Sequence, residues 1–246
     1  MRNFKLVLCY DGSSYDGWQK QGNTSNTIQE KLEQLLSRLL EQPVEVAGSG
    51  RTDAGVHAYA QVCSFHAQTE LACEELLAGI RQYLPKDIGA VSLEEAEPRF
   101  HARLNAAGKT YVYRIWRGSE PNVFERKYLY FFSAGLDVNA MRQAADLLLG
   151  THDFTSFCAN RRMKKSAVRT LQQIELEERG SELRISFSGD GFLYNMVRIL
   201  TGTLLEVGTG KLQPQAMPAI LEGKNRDLAG FTAPACGLAL KEVWYN

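Results

Sequence analysis

One segment concentrates residues able to do chemistry. Gly48-Ser49-Gly50-Arg51-Thr52-Asp53-Ala54-Gly55-Val56-His57-Ala58 sets one Arg, one Asp and one His among three glycines. Glycine reaches backbone conformations barred to other residues and lets a ligand come close to the main chain. An Asp held beside an Arg in such a loop stays ionised, because the neighbouring positive charge favours the anion. The plainer alternative, a Gly-rich turn in which Asp53 caps backbone N–H groups, is equally open from composition. A phosphate cradle is a third reading, but the loop lacks the Gly-Lys-Ser/Thr ending of a P-loop.

Other chemistries find little support. The histidines His57, His66, His101 and His152 show no His-x-x-x-His or Glu-containing metal pattern, so no metal is expected. The five cysteines (Cys9, Cys63, Cys73, Cys158, Cys236) are scattered and form no Cys-x-x-Cys pair. Neither a disulfide framework nor a cysteine-rich zinc site is indicated. Gly208-Thr209-Gly210 is too short for a nucleotide fingerprint and reads as a turn after a helix ending near Val207.

The elements that must carry the loop follow from hydrophobic periodicity. Residues 4–10 are a β-favouring apolar run that stops at the turn dipeptide Asp11-Gly12. Thr27, with Glu30 at capping-box distance, opens a helix whose stripe is Ile28, Leu32, Leu35, Leu36, Leu39 and Leu40. Pro43 ends it. Strands are expected at 44–47, 61–67 and 88–97, with a helix at 71–84, so the first hundred residues read β-α-β-β-α-β. In the second half, strands are expected at 109–116 and 127–133, with a helix at 138–149. A hairpin at 169–177 and 182–188 follows, then helices at 192–207 and 214–221 and a closing strand at 238–244.

This is an α+β pattern in two halves, 1–104 and 105–246, with no low-complexity linker between them. The halves suit a diverged duplication, although no sequence repeat is visible. The chain of 246 residues is 44% hydrophobic and 23% charged, which excludes extensive disorder. Lys+Arg and Asp+Glu are both 28, so the protein is neither polybasic nor polyacidic overall. No run approaches the ~18–20 apolar residues of a membrane span. Met1-Arg2-Asn3-Phe4-Lys5 lacks the apolar core of a signal peptide. A soluble, reduced, cytoplasmic protein without membrane association is expected.

The segment Gly50-Arg51-Thr52-Asp53-Ala54-Gly55-Val56-His57-Ala58 resembles the signature of the tRNA pseudouridine synthases of the TruA type. Four further blocks agree in order. Tyr10-Asp11-Gly12, Gly17-Trp18-Gln19 and Gln29 resemble the family's opening. Phe100-His101-Ala102-Arg103 with Lys109-Thr110-Tyr111-Val112-Tyr113 resembles its second block, except that Val112 stands where many members carry Arg. Gly191-Phe192-Leu193-Tyr194-Asn195-Met196-Val197-Arg198 resembles the third, and Thr232-Ala233-Pro234 with Cys236-Gly237-Leu238 the last.

The resemblance implies two similar mixed α/β halves, a largely antiparallel sheet and a central cleft, the pseudouridine synthase fold. It implies a homodimer that needs no cofactor and isomerises uridine to pseudouridine at positions 38, 39 and 40 of the tRNA anticodon stem-loop. In that reaction the N1–C1′ bond breaks, the bound uracil turns, and C5 is joined to C1′. Asp53 matches the catalytic aspartate. A hydrolytic glycosidase commonly needs two carboxylates; an isomerase that recaptures its own base activates no water, so one can suffice.

Arg198 matches the arginine that pairs with that carboxylate, although its apolar surroundings would equally suit a helix-surface arginine. Tyr111 matches the tyrosine that stacks on the extruded uridine, although a core strand tyrosine is the commoner fate of such a position. Arg51 is the expected helper at the vacated site or a nearby phosphate. His57 either joins it in binding substrate or satisfies the loop's backbone.

RNA binding on a neutral chain needs segregated charge. Residues 98–119 contain Arg99, Arg103, Lys109, Arg114 and Arg117 and no acid. Residues 160–173 contain Arg161, Arg162, Lys164, Lys165 and Arg169 and no acid. Glu70, Glu74, Glu75, Glu94, Glu95 and Glu97 gather elsewhere. Such runs can attract phosphates, with an affinity that falls steeply with salt, or can be solvated faces. Two other functions compete: a non-catalytic RNA-binding protein, and a glycosidic hydrolase, which would need a second carboxylate.

Overall fold

The computed structural model describes residues 1–160 and 165–246. In chain order the first elements are β1 (Arg2–Tyr10), α1 (Ile28–Leu39), β2 (Val46–Gly48), β3 (His57–Ala67), α2 (Cys73–Tyr83) and β4 (Ile88–Ala96). Then come β5 (Ala106–Trp116), β6 (Tyr130–Phe131), α3 (Val138–Asp146), β7 (Gly150–Asp153), β8 (Val168–Arg179) and β9 (Glu182–Gly189). The chain closes with α4 (Met196–Gly208), α5 (Met217–Gly223) and β10 (Leu238–Tyr245). These elements form two compact units, Met1–Ala107 with Ala239–Asn246, and Gly108–Leu238.

The first unit is built on β1, which pairs antiparallel with both β3 and β4. Its alternation puts Phe4, Leu6, Leu8 and Tyr10 on one buried face. Fully burying side chains of this size stabilises by about 1.5–3 kcal/mol each. The Phe4 and Phe65 rings stack at 5.2 Å across the β1–β3 register. Strand β10 joins β3 in parallel, with Ala239 opposite His57 and Leu240 opposite Ala58. Helix α1 begins as its sequence dictates: the Thr27 hydroxyl accepts the Glu30 N–H at 3.3 Å. The Glu30 carboxylate turns instead to the Lys20 ammonium, 3.2 Å away, and to the Gln34 amide at 3.0 Å. Ile28, Leu32 and Leu36 are fully buried beneath that helix.

In the second unit β5, β9, β8 and β7 lie side by side, all antiparallel. The expected hairpin forms with a two-residue loop, Arg179 facing Glu182 across Gly180 and Ser181. Helix α4 is buried almost all round. Its two buried hydroxyls are satisfied within the helix, Thr201 donating to the Val197 carbonyl and Thr203 to that of Ile199, both at 2.8 Å. Both units mix helices with mostly antiparallel strands, so the fold is a mixed α/β one. Among the described residues no helix is long and apolar enough to cross a membrane.

Three elements differ from the periodicity. The strand expected at 127–133 shrinks to Tyr130–Phe131, because Tyr128 N–H closes a turn on the Glu125 carbonyl at 2.7 Å. The helix expected from 192 starts at Met196, because Asn195 has φ 59° and breaks the helical path before it. Strand β7, Gly-Thr-His-Asp, has no apolar alternation and exists through its pairing with β8.

Candidate active site

Asp53 lies half-buried in the loop between β2 and β3. The loop is a turn: the Val56 N–H donates to the Asp53 carbonyl at 3.1 Å, and Gly55 supplies the left-handed φ of 77°. Residue 52 anchors it from beneath. The Thr52 hydroxyl meets the Tyr10 hydroxyl at 2.8 Å in the buried interior, and the Thr52 carbonyl accepts the Trp18 N–H at 3.0 Å. Gly17 makes that approach possible. A Cβ there would lie 2.7 Å from the Thr52 carbonyl oxygen, and φ of 96° already excludes most side chains. The segment from Tyr10 to Trp18 is thus a backing plate for Asp53.

The other loop residues divide by burial. Arg51 is exposed, and its Nε–H donates to the Gln19 Oε1 at 3.1 Å. His57 is buried, and its Nδ1 accepts the Gly12 N–H at 3.1 Å. The Asp11 Oδ1 stands 3.3 Å from the same nitrogen and accepts the Ser13 N–H at 2.9 Å. Asp11 and His57 form an ion pair when the ring is protonated, a state in which Nδ1 donates instead of accepting from Gly12. In this position His57 serves the backbone of the turn at residues 11–13.

In the second unit, Tyr111 sits on β5 opposite Phe187 and is almost wholly buried. The Phe192 ring meets it edge-on, with centroids 5.1 Å apart. Arg198 lies in the first turn of α4, half-buried. Its Nε–H donates to the Ala233 carbonyl at 2.7 Å and its NH1 group to the Asn195 Oδ1 at 2.9 Å. Ala233 returns a backbone bond to the Arg198 carbonyl at 3.0 Å. The guanidinium is therefore held in plane by two neutral acceptors, a fork that lysine lacks.

Beside this the Tyr113 hydroxyl donates to the Pro234 carbonyl at 2.7 Å, and burial pushes its phenol far above the usual range. Burial also pushes the Cys236 thiol up, although the nearby Arg198 charge opposes it. The last two resembling blocks are thus one packed cluster around Arg198, Ala233 and Pro234. Periodicity alone would have placed Arg198 on a helix surface. The packing of the segment at 232–237 against α4 is a long-range matter.

The basic runs are less basic in space than in sequence. Arg114 donates to Glu182 at 2.6 Å and to Glu125 at 3.1 Å, and Arg117 to Glu178 at 2.9 Å. Their charges are balanced by acids up to 68 positions away. Arg99, Arg103 and Lys165 are exposed. Arg161, Arg162 and Lys164 of the second run lie outside the described residues. Burial raises the Glu182 carboxyl, but bonds from Arg114 and Arg184 outweigh it and hold its pKa to about 2. Among the described residues no group of three or more His, Cys, Asp or Glu is placed to hold a metal ion.

The chain is similar to known proteins along almost its whole length. The family model for tRNA pseudouridine synthase matches residues 7–105 and 144–246. The protein named tRNA pseudouridine synthase A 2 of Bacillus cereus is 44% identical over 243 residues, which cover 99% of each chain. Its namesake from Clostridium perfringens is 43% identical over 245 residues, covering 100% of both. The tRNA pseudouridine synthase A of Acetivibrio thermocellus is 42% identical over the same span. Among solved structures, a chain of a Cbf5-Nop10-Gar1 complex aligns with a TM-score of 0.39 and 13% identity, over 96% of this chain and 48% of that one. From the family match and the full-length relatives, the chain belongs to the tRNA pseudouridine synthase family.

Proposed function

We propose that the protein isomerises uridine to pseudouridine in the anticodon stem-loop of tRNA, at positions 38 to 40, with Asp53 as its catalytic carboxylate. The carrying observation is the Asp53 turn, fastened to the Tyr10–Trp18 segment by Thr52 and intact in a chain that matches named tRNA pseudouridine synthases end to end.

The reaction is a balanced rearrangement. The N1–C1′ bond breaks, the uracil turns, a C5–C1′ bond forms, the C5 proton leaves, and N1 takes up a proton. Nothing is oxidised or reduced and no water is consumed, so neither a cofactor nor a second carboxylate is called for. Asp53 acts at the sugar carbon or on a proton of the substrate. Arg198 is the cation that serves that carboxylate, and its restrained guanidinium suits the task. Tyr111, braced by Phe192, is the platform for the extruded base. Arg51 contacts the vacated site or a phosphate beside it. His57 contributes from behind, through the turn it holds.

The working form is a homodimer, two copies offering basic surface such as Arg99 and Arg103 to one RNA. The cytoplasm is its compartment; the five cysteines are free thiols, which suits reducing conditions. The test is incubation of the purified protein with tRNA carrying tritium at uridine C5, in the presence of a chelator. Release of tritium with pseudouridine in the product is expected. Free uracil would instead identify a hydrolase, and binding without turnover a non-catalytic RNA-binding protein.

A further inference from the structure

Gln29 sits in the first turn of α1, away from the loop at Asp53 in sequence, yet a continuous run of side-chain hydrogen bonds joins it to Arg51. The Gln29 Oε1 accepts the Gln19 Nε2–H at 2.7 Å and the Lys20 backbone N–H at 2.9 Å. Its Nε2 donates to the Glu33 Oε1 and to the Val46 carbonyl, both at 3.0 Å. Two acceptor sites and two donors are a primary amide's main capacity, so all of Gln29 is engaged.

Full engagement removes its freedom to flip. Turning the amide over would set an oxygen against the Glu33 carboxylate and the Val46 carbonyl, and a nitrogen against the Lys20 N–H. Glu33 cannot yield either. It is buried, its Oε1 also accepts the Val46 N–H at 3.0 Å, and its Oε2 lies 3.2 Å from the Lys20 ammonium.

The fixed polarity passes along the run. Gln19 must present its Nε2 to Gln29, which leaves its Oε1 facing the Arg51 Nε–H at 3.1 Å. Among the described residues this is the one hydrogen bond of the Arg51 side chain. The exposed guanidinium is therefore gripped by one edge, with both terminal NH2 groups free for an outside anion such as a phosphate.

We propose that Gln29 is a positioning residue for Arg51, acting through Gln19, so that the guanidinium, two positions before Asp53 in the same loop, is held in one direction before RNA arrives. This rests on the reading of the Asp53 loop as the catalytic loop. An arginine on an unrestrained stem would lose rotamer freedom on binding, and misplacement by an ångström can cost a hundredfold in rate.

A double-mutant cycle in kcat/KM separates positioning from general support of the fold. Gln29→Met keeps volume and removes the four hydrogen bonds of the Gln29 amide, leaving Gln19 free to turn away from Arg51. It is expected to lower kcat/KM about tenfold in the wild-type background and less than twofold in an Arg51→Ala background. An equal loss in both backgrounds, no loss in the first, or full activity of Arg51→Ala itself would overturn the proposal. Should Gln29→Met fail to fold, Gln19→Met enters the same cycle with the same expectation.

A readout independent of turnover is the Arg51 Nε–H resonance in a 15N-labelled protein. It is expected to exchange slowly with solvent in the wild type and fast in Gln29→Met. Fast exchange in both would overturn the run as a restraint. Because wild-type tritium release is the control in the first experiment, failure of the functional reading and failure of the positioning role are distinguishable.

Discussion

The Tyr10 hydroxyl lies 2.8 Å from the Thr52 hydroxyl, buried one residue before Asp53. Tyr10 is the last residue of β1 and Thr52 belongs to the loop after β2, so this bond ties a strand to the Asp53 turn. Tyr10→Phe removes one partner and leaves a buried hydroxyl short of a bond, at a cost of about 1 kcal/mol. A urea titration should show that loss. The Asp53 turn, held from below by one contact fewer, should lose activity by roughly the factor of ten that a 1.4 kcal/mol misalignment implies. Unchanged kcat in a stably folded Tyr10→Phe protein would mean that Thr52 is held well enough by Trp18 alone.

Asp53→Asn keeps shape and removes charge. Turnover should fall by roughly a thousandfold or more, as expected on loss of an essential acid–base or nucleophilic group, while tRNA binding stays within a few fold. Tritium release and a filter-binding titration measure the two. Arg198→Lys should follow with a smaller loss of about ten- to a hundredfold in kcat, since an ammonium lacks the planar fork whose separate nitrogens reach Ala233 and Asn195. Appreciable turnover by Asp53→Asn would remove it from the mechanism.

Tyr111 tests the base platform. Tyr111→Phe keeps the ring and the edge contact with Phe192, so tRNA affinity should hold. Tyr111→Ala should weaken binding by about 1–3 kcal/mol, the worth of one stacked base. Equal affinity of the two variants would make Tyr111 a core residue and nothing more.

Glu182 supplies a pH-dependent part of stability. Its pKa falls from the ordinary 4.5 to about 2 on folding, under the bonds from Arg114 and Arg184 that overcome burial. A carboxyl depressed in the folded state stabilises fully above its unfolded pKa and loses that contribution as pH falls toward the folded value. Glu182→Gln should therefore cost about 3 kcal/mol at pH 7, where it breaks a buried pair with Arg114. The gap to the wild type should narrow as pH drops from 5 to 2. Denaturation midpoints at a series of pH values would show it, and a gap constant with pH would refute the charge argument.

Much of the local structure was legible beforehand. Thr27 begins α1 because a hydroxyl two bonds from Cα can reach the Glu30 N–H, a contact within one turn. The hairpin of β8 and β9 announces itself by alternation on either side of Gly180 and Ser181. The glycines around Asp53 mark a turn whose φ at position 55 is 77°. What misled was the reach of such patterns into context. A helical period from 192 gave no warning of the left-handed Asn195, and acid-free stretches around Arg114 and Arg117 concealed partners in β8 and β9.

Sequence by itself determined the Gly-rich turn that carries Asp53, the kinds of element around it and the resemblance to the synthases, because short-range sterics and side-chain order are written in neighbouring positions. Tertiary structure alone decided which distant groups share those residues: Gly12 for His57, Gln19 for Arg51, Ala233 for Arg198, Glu182 for Arg114. Each of those pairings depends on where strands and helices cross in space, and a hydrogen bond that vanishes beyond a few ångströms cannot be read from separation along the chain.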